Sequence, residues 1–455
     1  MSDALPLLPH PDVDQYQKLA KDLKHACESS DEHAVQEWAR RWVSALATVR
    51  DQEITVKVER DINRQAAHIE RRWREWRDKE PKSECRLTDT QFFIAREHGF
   101  TSWPNFAAHI EALARAHSPV SDFEAAADAI VNGDATMLAT LLRQRPDLAH
   151  QRSTRDHRST LLHYVSANGI EDFRQKTPKN IVEITRMLLD AGADVNAESD
   201  AYSGGSTTLG LTATSIHPER AGVQIPLLEL LLDRGSRMDQ PSAAGNWHSV
   251  VAGCLANGQP GAARYLIGRG APLDLESAAA LGDLAFVQSC FDEQGGLKPP
   301  ATERQMKSAF VYACGYGREP VVRYFLQRGI DVRTDPDVRS SLPWAVYGGR
   351  VEVIRLLLEA GADVNLRHAQ DQVAPLEAAL GAWAWSDDDA DRETYYEVVR
   401  VLVAHGATLD TNRFKQDDRR QEIAEKVRAD SRMLATLGNQ SDAVADKREN
   451  LPDRS

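Results

Sequence analysis

Apolar residues recur along this chain at three- and four-residue steps, the spacing that lines one face of a helix. The clearest case is VEVIRLLLEAGADVN at 351–365, where Val351, Ile354, Leu357 and Leu358 fall on one face. Gly361 follows, at the place where a helix commonly ends in a left-handed residue that glycine adopts without strain. A near-copy, VEITRMLLDAGADVN, occupies 182–196, which is 169 positions earlier and about five units of a ~33-residue repeat. Weaker copies stand at 230–235, 264–270, 323–329 and 401–406. An internal repeat of helical pairs therefore governs the fold.

Before the repeats the pattern is also helical. Residues 1–11 hold three prolines and read as a loose tail. A helical hairpin is expected from Asp12 to about residue 49, with Tyr16, Leu19, Ala20 and Leu23 on one face and Val35, Trp38, Ala39 and Trp42 on another. Residues 51–82 form the most charged helical stretch. Leu87 to Ile110 reads as two short capped helices, with Gly99 between them and Pro104 in a first turn, where its missing N–H costs nothing. Phe92, Phe93, Phe100, Trp103 and Phe106 would give this part a small core.

The repeat resembles the ankyrin repeat. Thr160-Leu-Leu-His-Tyr-Val165 comes closest to that family's T-P-L-H-x-A opening, and Ala374-Pro-Leu-Glu-Ala-Ala379 keeps the Pro-Leu and Ala positions. The likeness runs from about 121 to 410 and implies an all-α ankyrin-repeat solenoid of about eight divergent units with short hairpins. Units are expected at 123–153, 160–196, 207–239, 249–274, 275–295, 308–332, 340–365 and 374–410, with loop insertions near 171–179, 217–223 and 383–392. Residues 87–110 resemble a helical module found before such repeats in bacterial proteins, which suggests a bacterial source. The expected division is a helical capping module at 1–120, repeats at 121–410, a C-terminal capping helix within 411–438 and a disordered tail at 439–455. The resemblance places His163 at a position whose histidine makes structural hydrogen bonds between repeats.

Charge narrows the partners. The chain of 455 residues carries a net charge of −13. Residues 1–120 hold 18 Lys/Arg against 20 Asp/Glu, so most of the acidic excess falls on the repeats. That argues against a phosphate backbone as the main partner and favours a basic protein. Arg71, Arg72, Arg74 and Arg77 surround Trp73 and Trp76, a composition that suits nucleic acid. Glu70, Glu75, Asp78 and Glu80 interleave with them, so a solvated face is the preferred reading. Five scattered cysteines without a C-x-x-C pair suggest buried thiols in a reducing, cytoplasmic setting. No signal peptide or membrane span is expected.

No catalytic motif stands out, and no cofactor or metal is expected. Gly315-Tyr-Gly317 and Gly268-Arg-Gly270 lack the third glycine of a dinucleotide loop. Asp387, Asp388 and Asp389 lack the spacing of a calcium loop. In an ankyrin-type stack the two residues before the inter-helix glycine point into the concave groove. Here they include Asn168, Asn257, Tyr316 and Tyr347, and the 383–392 insertion adds Trp383 and Trp385 beside the acidic run. The expected function is non-catalytic protein binding through these residues, as a scaffold, an adaptor or an inhibitor of a toxin or enzyme. The alternative is an enzyme or nucleic-acid binder whose activity lies in residues 1–120.

Overall fold

The recurrence of Ala-Asp-Val-Asn has a hydrogen-bonding cause. In each copy the Asp side chain accepts from the Asn backbone N–H at 2.9 Å, closing a tight turn (Asp194 with Asn196, Asp363 with Asn365). Each Asn then reaches the following repeat. Asn196 Nδ2 donates to Gly235 O at 3.0 Å and its Oδ1 accepts from Arg237 N at 2.9 Å. Asn365 Nδ2 donates to Gly406 O at 3.2 Å and its Oδ1 accepts from Thr408 N at 2.9 Å. One side chain satisfies two backbone groups that the loop would otherwise leave without partners.

The computed structural model describes residues 4–8, 10–48, 56–79, 84–238, 249–368, 372–386, 388–410, 413–415 and 418–438. The chain divides into two units, Met1–Ala271 and Pro272–Ser455. Both are helical. The strands among the described residues are Glu198–Ser199 and Ser206–Thr207, a short antiparallel pair.

The first unit opens with helices Val13–Glu28, Ala34–Thr48, Val56–Lys79, Leu87–Glu97 and Trp103–Leu113. Their aromatic core is larger than the short-helix pattern implied: Tyr16, Trp38, Trp42 and Trp73 join Phe93, Phe100 and Phe106. The described part of the tail is not loose. Leu5 is buried, its N–H donates to Glu97 O at 2.7 Å, and its carbonyl lies 3.0 Å from His98 Nδ1. Helix Trp103–Leu113 packs on Pro119–Asn132, the first helix of the repeat-like part.

At the second repeat the inner segment, Leu161–Ser166, is wound as a 3-10 helix. Ser166 Oγ donates to His163 O at 2.6 Å, a local bond that competes with regular α-helical bonding. His163 is buried, accepts from Thr160 N at 3.1 Å through Nδ1, and meets Ser206 O at 3.2 Å through Nε2. It bridges neighbouring repeats, as the resemblance implied.

In the second unit the inner helices Leu275–Leu281, Glu303–Gly315, Ser341–Tyr347 and Pro375–Trp385 pack in sequence, each on the next. The outer helices Leu284–Ser289, Glu319–Gln327, Val351–Glu359 and Asp389–Ala404 do the same. Val353, Ile354, Leu357 and Phe325 are buried between the rows, each such side chain contributing about 1.5–3 kcal/mol. A second ladder joins the inner helices at their C-terminal ends, where carbonyls lack helical partners. Ala280 O accepts from Arg318 Nε at 2.8 Å, Gly315 O from Arg350 Nε at 3.1 Å, and Tyr347 O from Tyr395 Oη at 2.7 Å. Those three carbonyls each stand two residues before a turn glycine (Gly282, Gly317, Gly349). Gly348 is needed here, since a Cβ would lie 2.7 Å from Gly315 O. After residue 410 a pair of helices, Asp418–Ala429 and Ser431–Leu437, packs on the last inner and outer helices in the register of a further repeat.

Candidate functional site

Two surfaces, one in each unit, collect the residues singled out by sequence. In the first unit a cleft of about 510 Å³ is lined by Asn168 and Asn257 together with Tyr202, Thr214, Ile216 and His217. Small residues also line it, Gly205, Gly210 and Gly253 among them. None of its described lining residues is Asp, Glu, Lys or Arg. Asn168 is already engaged: Nδ2 donates to Leu211 O at 3.2 Å and to Thr214 Oγ1 at 3.1 Å, and Oδ1 accepts from Tyr202 Oη at 2.6 Å. Asn257 Nδ2 donates to Gly253 O at 2.9 Å. Both asparagines therefore shape the cleft wall. Burial, reinforced by Arg220, pushes the His217 imidazole below its usual range.

In the second unit Tyr316, Tyr347 and Trp385 stand at the C-terminal ends of three consecutive inner helices. Tyr347 is 38% exposed and Trp385 39%. Lys426 Nζ lies 4.1 Å from the Trp385 ring centroid, and the Arg318 guanidinium 5.7 Å from that of the half-buried Tyr316. Sequence reasoning missed the centre of this surface. Trp344 is 49% exposed, and with Tyr347 and His368 it forms a triangle of rings with centroids 6.2–6.3 Å apart and edges turned to faces. The signal was there: Trp344 stands five residues before Gly349, and Tyr312 holds the matching place before Gly317.

Trp383 does not belong to the surface. It is 5% exposed and packs edge-to-face on Tyr396 inside the core, which corrects its expected outward placement. The physical reason is that 383–385 prolong the inner helix instead of leaving it as a loop, and the helical turn points Trp383 and Trp385 in different directions. The acidic run likewise begins a helix. Asp388 caps Asp389–Ala404, accepting from Ala390 N at 2.7 Å, and Asp389, in the first turn, lies 3.5 Å from Arg392. Carboxylates there are stabilised by the helix dipole. Asp387 lies outside the described residues. A separate charged hollow of about 580 Å³ is lined by Glu303, Arg304, Lys307, Ser308 and Asp337.

The arginine-rich helix Val56–Lys79 is neutralised locally. Arg72 pairs with Glu97, Arg74 with Glu70 at 2.6 Å, Arg71 with Glu75 at 3.9 Å and Arg77 with Asp89 at 3.8 Å, while Trp73 is buried.

A third feature went unforeseen. Arg155 and Arg174 are buried with Glu124 and Glu171: Arg155 lies 2.6 Å from Glu124 and 3.0 Å from Glu171, and Arg174 lies 2.7 Å from Glu124. Burial opposes the charge on Glu124, but Arg155 and Arg174 outweigh it and hold the carboxyl down at about 2. Glu171 is likewise buried, and the same two arginines hold it well below the usual carboxylate range. Tyr164 Oη donates to Glu171 at 3.2 Å, and Arg155 lies over the Phe100 ring. The network thus ties the N-terminal helices to the first repeats through the 171–179 insertion.

Among the described residues no group of three or more His, Cys, Asp or Glu is placed to hold a metal ion, and no helix is long and apolar enough to cross a membrane. A comparison with curated proteins finds no match. Among solved structures, the crystal structure of the human ASB11 ankyrin repeat domain is similar at 19% identity and a TM-score of 0.31, over 62% of this chain and 98% of that one. Residues 275–368 match the family model for ankyrin repeats in three copies. With the inner and outer helical rows of the second unit, that match shows that the chain carries ankyrin repeats.

Proposed function

We propose that the protein is a non-catalytic binding scaffold that docks a basic protein segment on the aromatic surface of its second unit. The observation that carries this reading is the exposure of Trp344, Tyr347 and Trp385 on consecutive inner helices. Exposed aromatic clusters anchor interfaces. Their ring faces attract cations, and Asp388 and Asp389 add negative charge close in sequence to Trp385. Ankyrin repeats in general serve as protein-binding modules, which agrees with this role. Inhibition of a toxin or enzyme is a narrower form of the same reading. The local pairing of Arg71, Arg72, Arg74 and Arg77 supports a protein rather than a nucleic-acid partner. The test is affinity capture from source lysate with the full chain and with a Trp344→Ala/Tyr347→Ala double variant. A basic protein captured by the first and lost by the second, at unchanged Tm, is the expected result. Equal capture by both places the interface elsewhere.

A further inference from the structure

The five cysteines are free, but two of them are neighbours in space. Cys27 lies in the last turn of helix Val13–Glu28 and is half-buried. Cys85 is buried two residues before helix Leu87–Glu97. These helices pack on each other. That packing sets Cys85 in the core of the N-terminal helices with Cys27 against the same core, and the two thiols, 58 positions apart in sequence, interact there. The Trp73 indole and the Arg77 guanidinium lie nearby. Arg77 is held in place by Asp89 at 3.8 Å and donates to Glu84 O at 3.4 Å.

The two sulfurs differ in chemistry. The hydrogen bond from Cys85 brings the Cys27 thiol down to about 7; burial and Glu28 oppose this, while Arg77 and Trp73 reinforce it. The same bond, with burial, pushes Cys85 strongly up. A nucleophilic, partly accessible thiolate therefore sits beside a buried thiol able to resolve it, the arrangement of a redox-sensing pair. The other cysteines lack it: burial pushes Cys254 up to about 12, and pushes Cys314 and Cys290 up as well.

We propose that Cys27 and Cys85 are a redox-responsive dithiol that a hydroperoxide converts into an intramolecular disulfide. The Cys27 thiolate attacks the peroxide oxygen, breaking the O–O bond and giving a sulfenic acid, with water or an alcohol leaving. Cys85 sulfur then attacks Cys27 sulfur and expels the hydroxyl as water, its own proton accounting for the balance. Two thiols and one peroxide become one disulfide, with an S–S bond of about 2.05 Å. The closed loop contains helices Ala34–Thr48 and Val56–Lys79, so oxidation staples the N-terminal helices together.

The test treats the full chain with hydrogen peroxide and then alkylates it under denaturing conditions. Alkylatable thiols should fall from five to three, with a cross-linked peptide joining Cys27 to Cys85. In Cys85→Ser the Cys27 sulfenic acid should persist and react with dimedone. In Cys27→Ser the loss of thiols should slow about ten-fold or more. Full alkylation of Cys27 and Cys85 after peroxide, a sulfinic acid on Cys27 with Cys85 still free, or a disulfide joining two chains would overturn the proposal.

Discussion

Both units stack helical pairs, yet single repeats of the two differ at one recurring position. Five residues before the turn glycine stand Tyr164 and Gly253 in two repeats of the first unit, and Ser277, Tyr312 and Trp344 in three of the second. Gly253 lines a cleft whose described lining holds no Asp, Glu, Lys or Arg, and Trp344 stands exposed beside Tyr347 and His368. Leu255 and Cys254 are buried beside Gly253 as Ala345 and Val346 are beside the exposed Trp344, while Tyr164 is itself buried at this position. The lesson is that a repeat holds its fold with a few columns and leaves others to set what its surface meets. The interiors differ as well. The first unit buries Glu124, Glu171, Arg155, Arg174, His98, His109 and His163, whereas Glu377 is the buried ionisable carboxylate among the described residues of the second.

That contrast is easiest to break from inside. Arg155→Ala leaves Glu124 and Glu171 short of a partner in a dry site and should cost roughly 3–5 kcal/mol. Arg350→Ala in the second unit removes an exposed bond to Gly315 O and should cost about 1 kcal/mol or less. Urea melts of the two variants check this, and equal losses would erase the difference. Trp383→Ala and Trp385→Ala sharpen it within one helix. The first should cost about 3–5 kcal/mol by opening a core cavity, the second within about 1 kcal/mol, as read from the same melts.

Acid should act on the first unit. Burial holds His98 at about 3, and His109 and His163 at about 4, against 6.5 when unfolded. Below pH 6.5 the unfolded chain binds protons that the folded one refuses. Stability is therefore complete above pH 6.5 and is lost as pH falls towards 4, by roughly 3 kcal/mol for a histidine such as His163. Glu124, held at about 2 against 4.5, extends the loss below pH 4.5. In the second unit the carboxylates with lowered pKa, Asp331, Asp335 and Glu393, lie near or at the surface, where solvent screens their pairs. Hydrogen exchange at pH 6.5 and pH 4, corrected for intrinsic rates, should show the first unit opening first. Simultaneous opening would contradict this account.

How much of this was legible in the sequence follows from the kind of interaction. The apolar columns, the Gly ends and the Ala-Asp-Val-Asn turn act locally and periodically, so they can be read from spacing. The role of His163 could be read from its motif position. The Arg155–Glu171 network and the Cys27–Cys85 contact join residues far apart in sequence with no period, so composition shows only charges and scattered thiols. The aromatic surface was half legible. Tyr347 and Trp385 could be named from the turn column and the insertion. Trp383 was misplaced because a longer helix, not a loop, follows Gly381. Asn168 and Asn257 do line a cleft, but as parts of its wall.

The smallest expected effect on the fold carries the largest consequence for function. The Trp344→Ala/Tyr347→Ala variant should melt within about 1 kcal/mol of the parent chain. The central claim rests on what that variant captures: quantitative affinity capture beside the parent chain, with Tm recorded on the same samples. The account predicts a basic partner depleted about thirty-fold, the loss of a ~2 kcal/mol anchor, at an unchanged Tm. Undiminished capture of the same proteins by the folded variant would contradict it.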